Sequence, residues 1–392
     1  MKRLRTQIGI VGAGPAGLLL GQLLHLEGIE SIILENHSRD YVFERVRAGV
    51  LEQGTVDTLV DAGVGGRLVR EGMRHGGIQI CFRARRHRID FEELTGGRGI
   101  TVYGQNEIVR DLLAARDATG RPLVFEVQHT AISDYAAAPR ITFQSGGEEY
   151  EIVCDFIAGC DGSHGICRPS IAGHVHICER AYPVAWLGIL AKAAPSSNEL
   201  VYALHERGFA LFSMRSPDIT RLYLQCAPDE DAAHWSDEQI WTELSARLAT
   251  ADGSVPNRGA ILQKSVTGMR SLMVEPMQHG RLLLAGDAAH IVPPTGAKGL
   301  NLAVGDVRIL SRALAAYYRS GRADLLSSYS DRCLSRAWRA QRFSWWMTST
   351  LHCAPGGNEF DFRRQLAELE YATSSRAAMI SLAENYSGWP VD

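Results

Sequence analysis

Residues 7–35 read QIGIVGAGPAGLLLGQLLHLEGIESIILE, and this stretch decides the fold. The apolar run over 7–11 predicts a buried strand, a helical pattern follows over 18–27, and a second apolar run covers 31–34. Between the first strand and the helix stands a G-x-G-x-x-G turn, and the acid Glu35 closes the second strand. Strand, glycine-rich turn, helix and strand in this order predict a βαβ unit that binds a dinucleotide.

Each residue type in this unit has a chemical reason. Gly12 makes the tight turn, Gly14 lets the backbone approach a pyrophosphate, and Gly17 lets the helix pack closely on the strand. The helix N-terminus offers free N–H groups to a phosphate. Glu35 can accept a hydrogen bond from a ribose hydroxyl, which favours FAD or NAD over NADP. The alternative for an isolated G-x-G-x-x-G is an ordinary glycine-rich turn.

Two later segments favour FAD. Residues 157–164 (IAGCDGSH) predict a strand that runs into an Asp-Gly turn, and residues 281–290 (RLLLAGDAAH) predict a strand that ends in Gly-Asp. A carboxylate after a strand suits the ribityl hydroxyls of a flavin. The stretch 293–301 (PPTGAKGLN) leads into a helix whose N–H groups suit the pyrimidine edge. Either segment alone also fits an ordinary turn, so the order of the motifs carries the argument.

Length and composition limit the possible domain organisation and binding partners. The chain has 392 residues, which suits two domains or one large domain with a long insertion. A net charge of −3 gives no electrostatic case for binding nucleic acid or an anionic membrane. The eight cysteines include no C-x-x-C pair. We therefore expect reduced thiols in a cytoplasmic protein and no metal site.

The three motifs together resemble the group A flavoprotein monooxygenases, which are FAD-dependent aromatic hydroxylases. Longer stretches resemble the branch of this family that acts on 4-hydroxybenzoate: 47–54 (RAGVLEQG), 102–105 (VYGQ), 274–281 (VEPMQHGR), 342–349 (RFSWWMTS) and 384–386 (ENY). The likeness extends over essentially the whole chain.

The resemblance implies an α/β fold and a domain plan. A Rossmann-like FAD-binding domain is expected to be discontinuous, formed by 1–74, 101–181 and 270–349. A sheet-based substrate-binding domain is expected from 75–100 and 182–269. A C-terminal helical part, 350–392, is expected to contact a second copy in a homodimer.

The resemblance also assigns FAD contacts. They are Gly12, Gly14, Ala16, Gly17, Glu35, Arg45, Val46, Arg47, Ala48, Gly49, Val50, Gln105, Asp287, Leu300 and Asn301. Arg47 and Gln105 are expected at the diphosphate, where a guanidinium fork matches phosphate oxygens. Ala16 departs from the family pattern, which has Ser there, but its backbone N–H can still serve the phosphate.

The implied substrate site uses residues that alone have ordinary explanations, because tyrosines are common in strands and arginines on solvated faces. The substrate-binding residues are Tyr202, Ser213, Met214, Arg215, Tyr223, Pro294 and Thr295. Arg215 is expected to bind the carboxylate of a phenolic acid together with Ser213 and Tyr223.

The implied catalytic residues are Tyr202, Tyr386, His75, Pro294 and Arg221. Tyr202 would bind the substrate's 4-hydroxyl, and Tyr202, Tyr386 and His75 would relay its proton to water. Pro294 would shape the pocket, and Arg221 would bias the flavin between two positions. The implied reaction is hydroxylation ortho to the phenol, with NAD(P)H reducing FAD and O2 reacting through a flavin C4a-hydroperoxide.

Residues implied for NAD(P)H are Asn36, Tyr41, Arg45, His164, Arg168 and Arg270. Asn36 stands where the family has Arg, and loss of that charge should weaken discrimination for a 2′-phosphate. Arg39 can partly compensate, so we expect use of NADPH with substantial NADH activity. Two alternatives stay open: a sibling hydroxylase acting on 3-hydroxybenzoate or protocatechuate, and a flavin-binding sensor without turnover.

Overall fold

The fold is described by a computed structural model that covers residues 1–44 and 49–389. The strands in chain order are β1 (Lys2–Arg5), β2 (Ile8–Val11), β3 (Ser31–Leu34), β4 (Val50–Glu52), β5 (Met73–His75), β6 (Gly77–Phe82), β7 (Arg85–Asp90), β8 (Ile100–Val102), β9 (Leu123–Val124), β10 (Gln128–Ser133), β11 (Arg140–Ser145), β12 (Glu148–Val153), β13 (Phe156–Gly159), β14 (His176–Lys192), β15 (Val201–Ala203), β16 (Ala210–Ser216), β17 (Ile219–Cys226), β18 (Ala260–Glu275), β19 (Gln278–His279), β20 (Leu282–Leu284) and β21 (His290–Ile291).

The α-helices in chain order are α1 (Pro15–Leu26), α2 (Arg39–Glu44), α3 (Gln53–Asp61), α4 (Gly66–Glu71), α5 (Phe91–Thr95), α6 (Gln105–Thr119), α7 (Cys167–Ser170), α8 (Asp237–Leu248), α9 (Gly299–Ser320), α10 (Asp324–Ser327), α11 (Tyr329–Leu351), α12 (Glu359–Ser374) and α13 (Arg376–Ser387). Short 3-10 helices cover Gly162–His164, Ala172–His174, Ala232–His234, Gly286–Ala288 and Pro294–Gly296. The predicted βαβ unit is confirmed. Its helix begins three residues earlier than the apolar pattern predicts, because Pro15 suits the first helical position.

A six-stranded sheet, in the order β19-β20-β13-β2-β3-β9, carries the nucleotide-binding motifs. Its strands from β20 to β9 are parallel, and Val11 pairs with Gly159, which pairs with Leu284. The three strands that precede the motifs therefore end side by side. The turns that follow them meet at one edge of the sheet, where ligands of parallel α/β sheets bind.

An eight-stranded sheet, in the order β21-β18-β14-β17-β16-β15-β6-β7, carries the residues implied for substrate. Gly188 pairs with Tyr223, Tyr223 with Leu211, and Leu211 with Tyr202. Directly paired residues point to the same face of a sheet, so these four form one row across four strands. Ser213 pairs with Arg221 and lies two residues from Leu211, on the same face.

The C-terminal helices cover that face. Tyr202 and Trp186 share a buried hydrophobic cluster with Phe343 and Met347 of α11 and with Tyr386 of α13. The opposite face packs on α8 through a second cluster. The predicted α/β class with a C-terminal helical part is confirmed.

The predicted domain boundaries at 181/182 and 269/270 fall inside β14 and β18, so the division into domains stays a prediction.

No helix of residues 1–44 and 49–389 is long and apolar enough to cross a membrane. Across the same residues, no group of three or more His, Cys, Asp or Glu side chains is arranged to hold a metal ion.

Candidate functional site

The glycines of the first motif have the geometry that a dinucleotide needs. Gly12 has φ +104°, and a Cβ there would lie 2.4 Å from the Cys160 carbonyl oxygen. A Cβ on Gly17 would lie 2.0 Å from the Gly12 carbonyl oxygen, so helix and turn touch backbone to backbone. A Cβ on Gly14 would meet nothing within 4 Å, which leaves this position of the turn open. The motif therefore packs tightly at Gly12 and Gly17 and leaves open space at Gly14.

The carboxylate of Glu35 is buried beside this turn. It accepts hydrogen bonds from the Ala13 N–H at 2.8 Å and from the His37 N–H at 3.0 Å. Ala16 lies in the first turn of α1 and is 8% exposed. Glu35 therefore already shapes the turn in addition to the ribose contact predicted for it.

Two separate stretches that are expected to bind FAD lie side by side. Val50 pairs with Val102, and the Tyr103 backbone N–H donates to the Gly49 carbonyl oxygen at 2.8 Å. These contacts bring Gly49 close to Gln105 at the start of α6. A Cβ on Gly49 would lie 1.8 Å from the Tyr103 carbonyl oxygen. Arg45, Val46, Arg47 and Ala48 lie outside the described residues.

Asn301 ties the same region to α9. Its amide nitrogen donates to the Val50 carbonyl oxygen at 3.0 Å, and its amide oxygen accepts from the Glu52 N–H at 3.0 Å and the Thr55 hydroxyl at 2.8 Å. Leu300 lies beside it in the first turn of α9, whose N–H groups have no acceptors within the helix. The side chain of Asn301 is thus structural, and a flavin would meet the backbone N–H groups instead.

The residues implied for substrate also come together. The Arg221 guanidinium lies over the Tyr223 ring at 5.3 Å, and Trp186 lies against the same ring at 4.7 Å. A Cβ on Gly188 would come within 3.0 Å of Arg221 Nη2, so the glycine in this row leaves room for the arginine. The Ser213 hydroxyl donates to the Met214 carbonyl oxygen at 3.3 Å.

Arg215, on β16, reaches α6. Its Nη2 donates to Asn106 Oδ1 at 2.6 Å, next to Gln105 of the implied FAD site. Burial lowers the pKa of Arg215, and the nearby Arg221 lowers it further, while Tyr223 opposes both. Burial and Arg221 thus both disfavour the charged guanidinium here, which makes this position suited to a carboxylate ligand. Sequence reasoning missed Asn106, although it follows directly after the quoted 102–105 stretch.

Two tyrosines far apart in the chain form the innermost polar contact. The hydroxyls of Tyr202 and Tyr386 lie 2.5 Å apart, and each residue is 1% exposed. Burial raises the pKa of Tyr202 well above its ordinary value, and it raises that of Tyr386 although the hydrogen bond from Tyr202 opposes this. Both are therefore neutral phenols near pH 7, able to donate and to accept.

His75 lies apart from this pair. Its Nε2 lies 3.3 Å from Met214 Sδ, and its Nδ1 is buried without a partner among the described residues. Burial lowers the pKa of His75 to about 4, so the ring is neutral near pH 7. Within residues 1–44 and 49–389 no direct hydrogen bond joins it to Tyr386, and its place in the relay stays a prediction.

Thr295 and Pro294 lie in a 3-10 turn against α11. The Thr295 hydroxyl contacts the Thr348 hydroxyl at 2.9 Å, and Thr348 in turn donates to the Ser344 carbonyl oxygen at 2.7 Å. Thr295 is completely buried, so α11 fixes the turn that is expected to border the substrate ring.

Sequence reasoning missed a buried ion pair beside Asn301. Lys298 Nζ donates to Glu52 Oε1 at 2.6 Å and to the Tyr386 carbonyl oxygen at 2.9 Å. Burial lowers the pKa of Lys298, and Glu52 opposes that effect. The pair lines a cavity of about 430 Å³ between α9, α11 and the C-terminal segment. Both residues stood in quoted motif stretches, but only the fold shows that they meet.

A second contact that sequence reasoning missed lies beside Tyr223. Trp186 Nε1 donates to His352 Nε2 at 2.6 Å, and His352 Nδ1 contacts the Thr348 carbonyl oxygen at 2.9 Å. Both ring nitrogens are therefore used by a neutral imidazole, with the proton on Nδ1. Burial lowers the pKa of His352 from 6.5 to about 3.

This histidine predicts a pH dependence of stability. The unfolded state takes up a proton below pH 6.5 and the folded state does not, so stability is lost as pH falls from about 6.5 toward 3. At pH 5 the loss from His352 is expected to be about 2 kcal/mol. Urea unfolding at pH 7 and pH 5 should show that His352→Gln reduces the pH-dependent loss by this amount. The exposed His234→Gln is the control, and an unchanged pH dependence in His352→Gln would contradict the prediction.

The residues implied for the nicotinamide donor fall into two groups. Arg168 Nη1 donates to the carbonyl oxygens of Asp287 and Ala288, both at 3.2 Å, and its Nη2 donates to that of Ser163. Burial lowers the pKa of Arg168, and the positive charge of neighbouring Arg270 lowers it further. The exposed His164 contacts the Ser163 hydroxyl at 2.9 Å.

The second group lies after β3. Asn36 is exposed, and Tyr41, 46% exposed, contacts the His37 ring at 4.1 Å. Arg39 is bound by the Asp117 carboxylate and lies over the Phe125 ring at 5.9 Å. To reach a phosphate, Arg39 would have to leave Asp117.

Comparison with known protein families gives the same assignment. Residues 5–344 match the family model described as "FAD binding domain". The chain is 48% identical to p-hydroxybenzoate hydroxylase from Acinetobacter baylyi, over 100% of this chain and 97% of that protein. The chain belongs to the FAD-dependent aromatic hydroxylases. This confirms the family resemblance read from the sequence, with FAD as cofactor and a nicotinamide as reductant.

More distant proteins resemble this chain in sequence or in fold. A 3-(3-hydroxy-phenyl)propionate/3-hydroxycinnamic acid hydroxylase from Mycobacterium avium is 26% identical over 83% of this chain and 57% of that protein. The crystal structure of p-nitrophenol 4-monooxygenase from Pseudomonas putida superimposes with a TM-score of 0.84 over 100% of both chains, at 17% identity. The architecture of this FAD-dependent hydroxylase is therefore shared more widely than its sequence.

Proposed function

We propose that this chain hydroxylates 4-hydroxybenzoate at C3 to give 3,4-dihydroxybenzoate, using FAD, NAD(P)H and O2. The observation that carries the proposal is the arrangement on one sheet face. The half-buried Arg215 lies on β16 close to Arg221 and Tyr223. Ser213 and Tyr223 share their sheet face with Tyr202, whose buried hydroxyl contacts that of Tyr386 in α13. A para-hydroxy acid carries a carboxylate and a phenol at opposite ends, which this arrangement matches. The similarity to p-hydroxybenzoate hydroxylase supports it.

The carboxylate end is bound by charge and the phenol end by a neutral hydroxyl. Arg215 supplies a fork that matches a carboxylate, and Ser213 and Tyr223 supply further hydroxyl donors. The Trp186 ring against Tyr223, held through His352, keeps this wall in place. Pro294 and Thr295 close the pocket on the other side.

Proton removal from the phenol is assigned to Tyr202. Its oxygen accepts the substrate proton while its own proton passes to Tyr386, 2.5 Å away. His75 is assigned as the outer group of the relay by family resemblance, and its Nδ1 has no partner among the described residues. Ionising the phenol makes the adjacent ring carbon a stronger nucleophile.

FAD is held by the Gly12–Gly17 turn, Glu35, Gly49, Val50, Gln105, Asp287 and the first turn of α9 with Leu300 and Asn301, and Arg45 through Ala48 are assigned to it by resemblance. When bound and reduced by NAD(P)H, FAD would supply the activation of O2 for transfer of one oxygen atom to the ring. Arg221, over Tyr223 at the pocket wall, is assigned the bias between flavin positions. The closed pocket excludes water while this occurs.

A product profile tests the proposal. The purified holoenzyme is given NADPH, O2 and one of 4-hydroxybenzoate, 3-hydroxybenzoate or 3,4-dihydroxybenzoate, and products are identified by mass spectrometry. We expect 3,4-dihydroxybenzoate from the first compound at the highest kcat/KM. Preference for another acid would replace the substrate assignment. NADPH oxidation that no aromatic acid stimulates would favour a flavin-binding sensor.

We further propose that both NADPH and NADH serve as donors, bound by Asn36, Tyr41, Arg45, His164, Arg168 and Arg270. The neutral Asn36 and the engagement of Arg39 with Asp117 leave little positive charge fixed after β3 for a 2′-phosphate. Arg168, bound to backbone carbonyl oxygens of the Gly-Asp turn, and Arg270, paired with Glu179, are assigned to the diphosphate.

Asn36→Arg tests this donor assignment. One added charge-assisted contact contributes about 1.4 kcal/mol, so the ratio of kcat/KM for NADPH over NADH is expected to rise about tenfold. Asn36→Gln adds length without charge and should leave the ratio unchanged. An unchanged ratio in Asn36→Arg would show that the donor does not reach this position.

The chain is also proposed to form a homodimer through residues 350–392 and to work in the cytoplasm. The C-terminal helices expose large apolar side chains, among them Phe360 at 74% and Tyr371 at 58%, which a second copy could cover. All eight cysteines are free thiols, in keeping with a reducing compartment.

A further inference from the structure

A buried ion pair lies behind the Gly-Asp turn. His290 Nε2 contacts Asp306 Oδ2 at 2.7 Å, and each side chain is 1% exposed. Burial alone would lower the pKa of His290, but the Asp306 carboxylate outweighs it and raises the pKa above its ordinary value. The pair is shielded from water, and the carboxylate favours the protonated form of His290.

Asp306 also binds the backbone of the Gly-Asp turn. The same Oδ2 accepts the Gly286 N–H at 2.9 Å. Gly286 has φ +64°, and a Cβ there would lie 3.1 Å from the Ala303 Cβ of α9, so the turn is pressed against the helix. The next residue is Asp287, assigned to the ribityl hydroxyls.

Asp306 belongs to α9, five residues after Asn301. One carboxylate thus joins the helix whose first turn is assigned to the flavin's pyrimidine edge to the turn assigned to its ribityl chain. His290 holds that carboxylate from the strand that leads to Pro294. A short buried pair of this kind fixes geometry more than it adds stability.

We propose that His290 and Asp306 are positioning residues that lock the Gly-Asp turn onto α9 and thereby set the affinity for the flavin half of FAD. This rests on the proposed placement of FAD against Asp287 and the first turn of α9. Neither side chain needs to touch FAD for the effect, because both act through Gly286 and α9.

The test compares FAD with ADP, which carries only the half of the cofactor that binds at the Gly12–Gly17 turn. Full-length protein freed of flavin is titrated with each ligand. For Asp306→Asn and for His290→Gln we expect the Kd of FAD to rise tenfold or more and the Kd of ADP to stay within twofold. If Asp306→Asn does not fold, His290→Gln decides alone.

Tyr318→Phe is the matched control. It lies on the same helix, α9, but removes a hydrogen bond of 2.9 Å to Asp155, at the amino-terminal end of β13 and away from the turn. Its Kd for FAD should stay within twofold. The proposal is overturned if the pair variants keep wild-type affinity for FAD, or if ADP is lost in equal measure. Asp287→Ala tests the placement separately: unchanged FAD affinity there would refute the placement of FAD rather than the locking pair.

Discussion

Arg215→Ala is expected to weaken the binding of 4-hydroxybenzoate by about 3 kcal/mol or more, which is about 150-fold in Kd. The substitution leaves a substrate carboxylate in a closed pocket without its cation, and an unpaired buried charge is costly. It also frees Asn106, which now accepts from the guanidinium at 2.6 Å. Titration of the holoenzyme with substrate, followed by the flavin absorbance, measures the effect.

Two comparisons show whether charge is the cause. With the neutral 4-hydroxybenzamide, Arg215→Ala should cost far less than with the acid, because no anion is left unpaired. Arg207→Ala removes an exposed arginine that pairs with Glu243 and should leave both affinities unchanged. Wild-type affinity of Arg215→Ala for the acid would refute the assignment of Arg215.

Tyr202→Phe is expected to lower the rate of hydroxylation about 100-fold or more, while NADPH is still consumed. The ring and the pocket shape remain, but the substrate phenol loses the oxygen that accepts its proton, and a neutral phenol is a poor nucleophile. Reducing equivalents should then appear as H2O2. The measurement is 3,4-dihydroxybenzoate formed per NADPH oxidised, with peroxide quantified in parallel.

Tyr386→Phe should act in the same direction but more mildly, because it removes the second oxygen of the pair and leaves the first. Tyr318→Phe is the control: its hydroxyl donates to Asp155, at the amino-terminal end of β13 and away from the motif turns. Full coupling in Tyr202→Phe at the wild-type rate would show that another group ionises the phenol.

What the sequence predicts well here is local. The βαβ unit follows from strand, turn and helix signals within 29 consecutive residues, and Gly17 is required by its contact with the nearby Gly12 carbonyl oxygen. The motif turns meet because the parallel strands before them end at a common edge of the sheet. The structure adds the strand register that aligns Val11, Gly159 and Leu284, which local sequence patterns do not predict.

What the sequence does not predict is long-range pairing between polar side chains. Tyr202 and Tyr386 are 184 positions apart, and only the family resemblance placed them in one site. Trp186 with His352, and Lys298 with Glu52, were missed because each looks ordinary in its own segment. Buried polar residues find their partners through tertiary packing, and a single sequence gives no signal for which partner that is.

The long strands β14 and β18 limit how this architecture can be recombined. They are paired from His176 with Glu275 to Lys192 with Ala260, with irregularities between Ala181 and Ala185 and between Leu190 and Ala191, and both cross the predicted domain boundaries. A chimera that takes its substrate lobe from another hydroxylase must therefore be joined inside both strands. Each joint has to preserve the irregularity between Ala181 and Ala185, because a one-residue slip would turn the grafted side chains to the wrong face. Exchange of substrate range between such enzymes is thus easier by replacing individual side chains on the sheet than by swapping lobes.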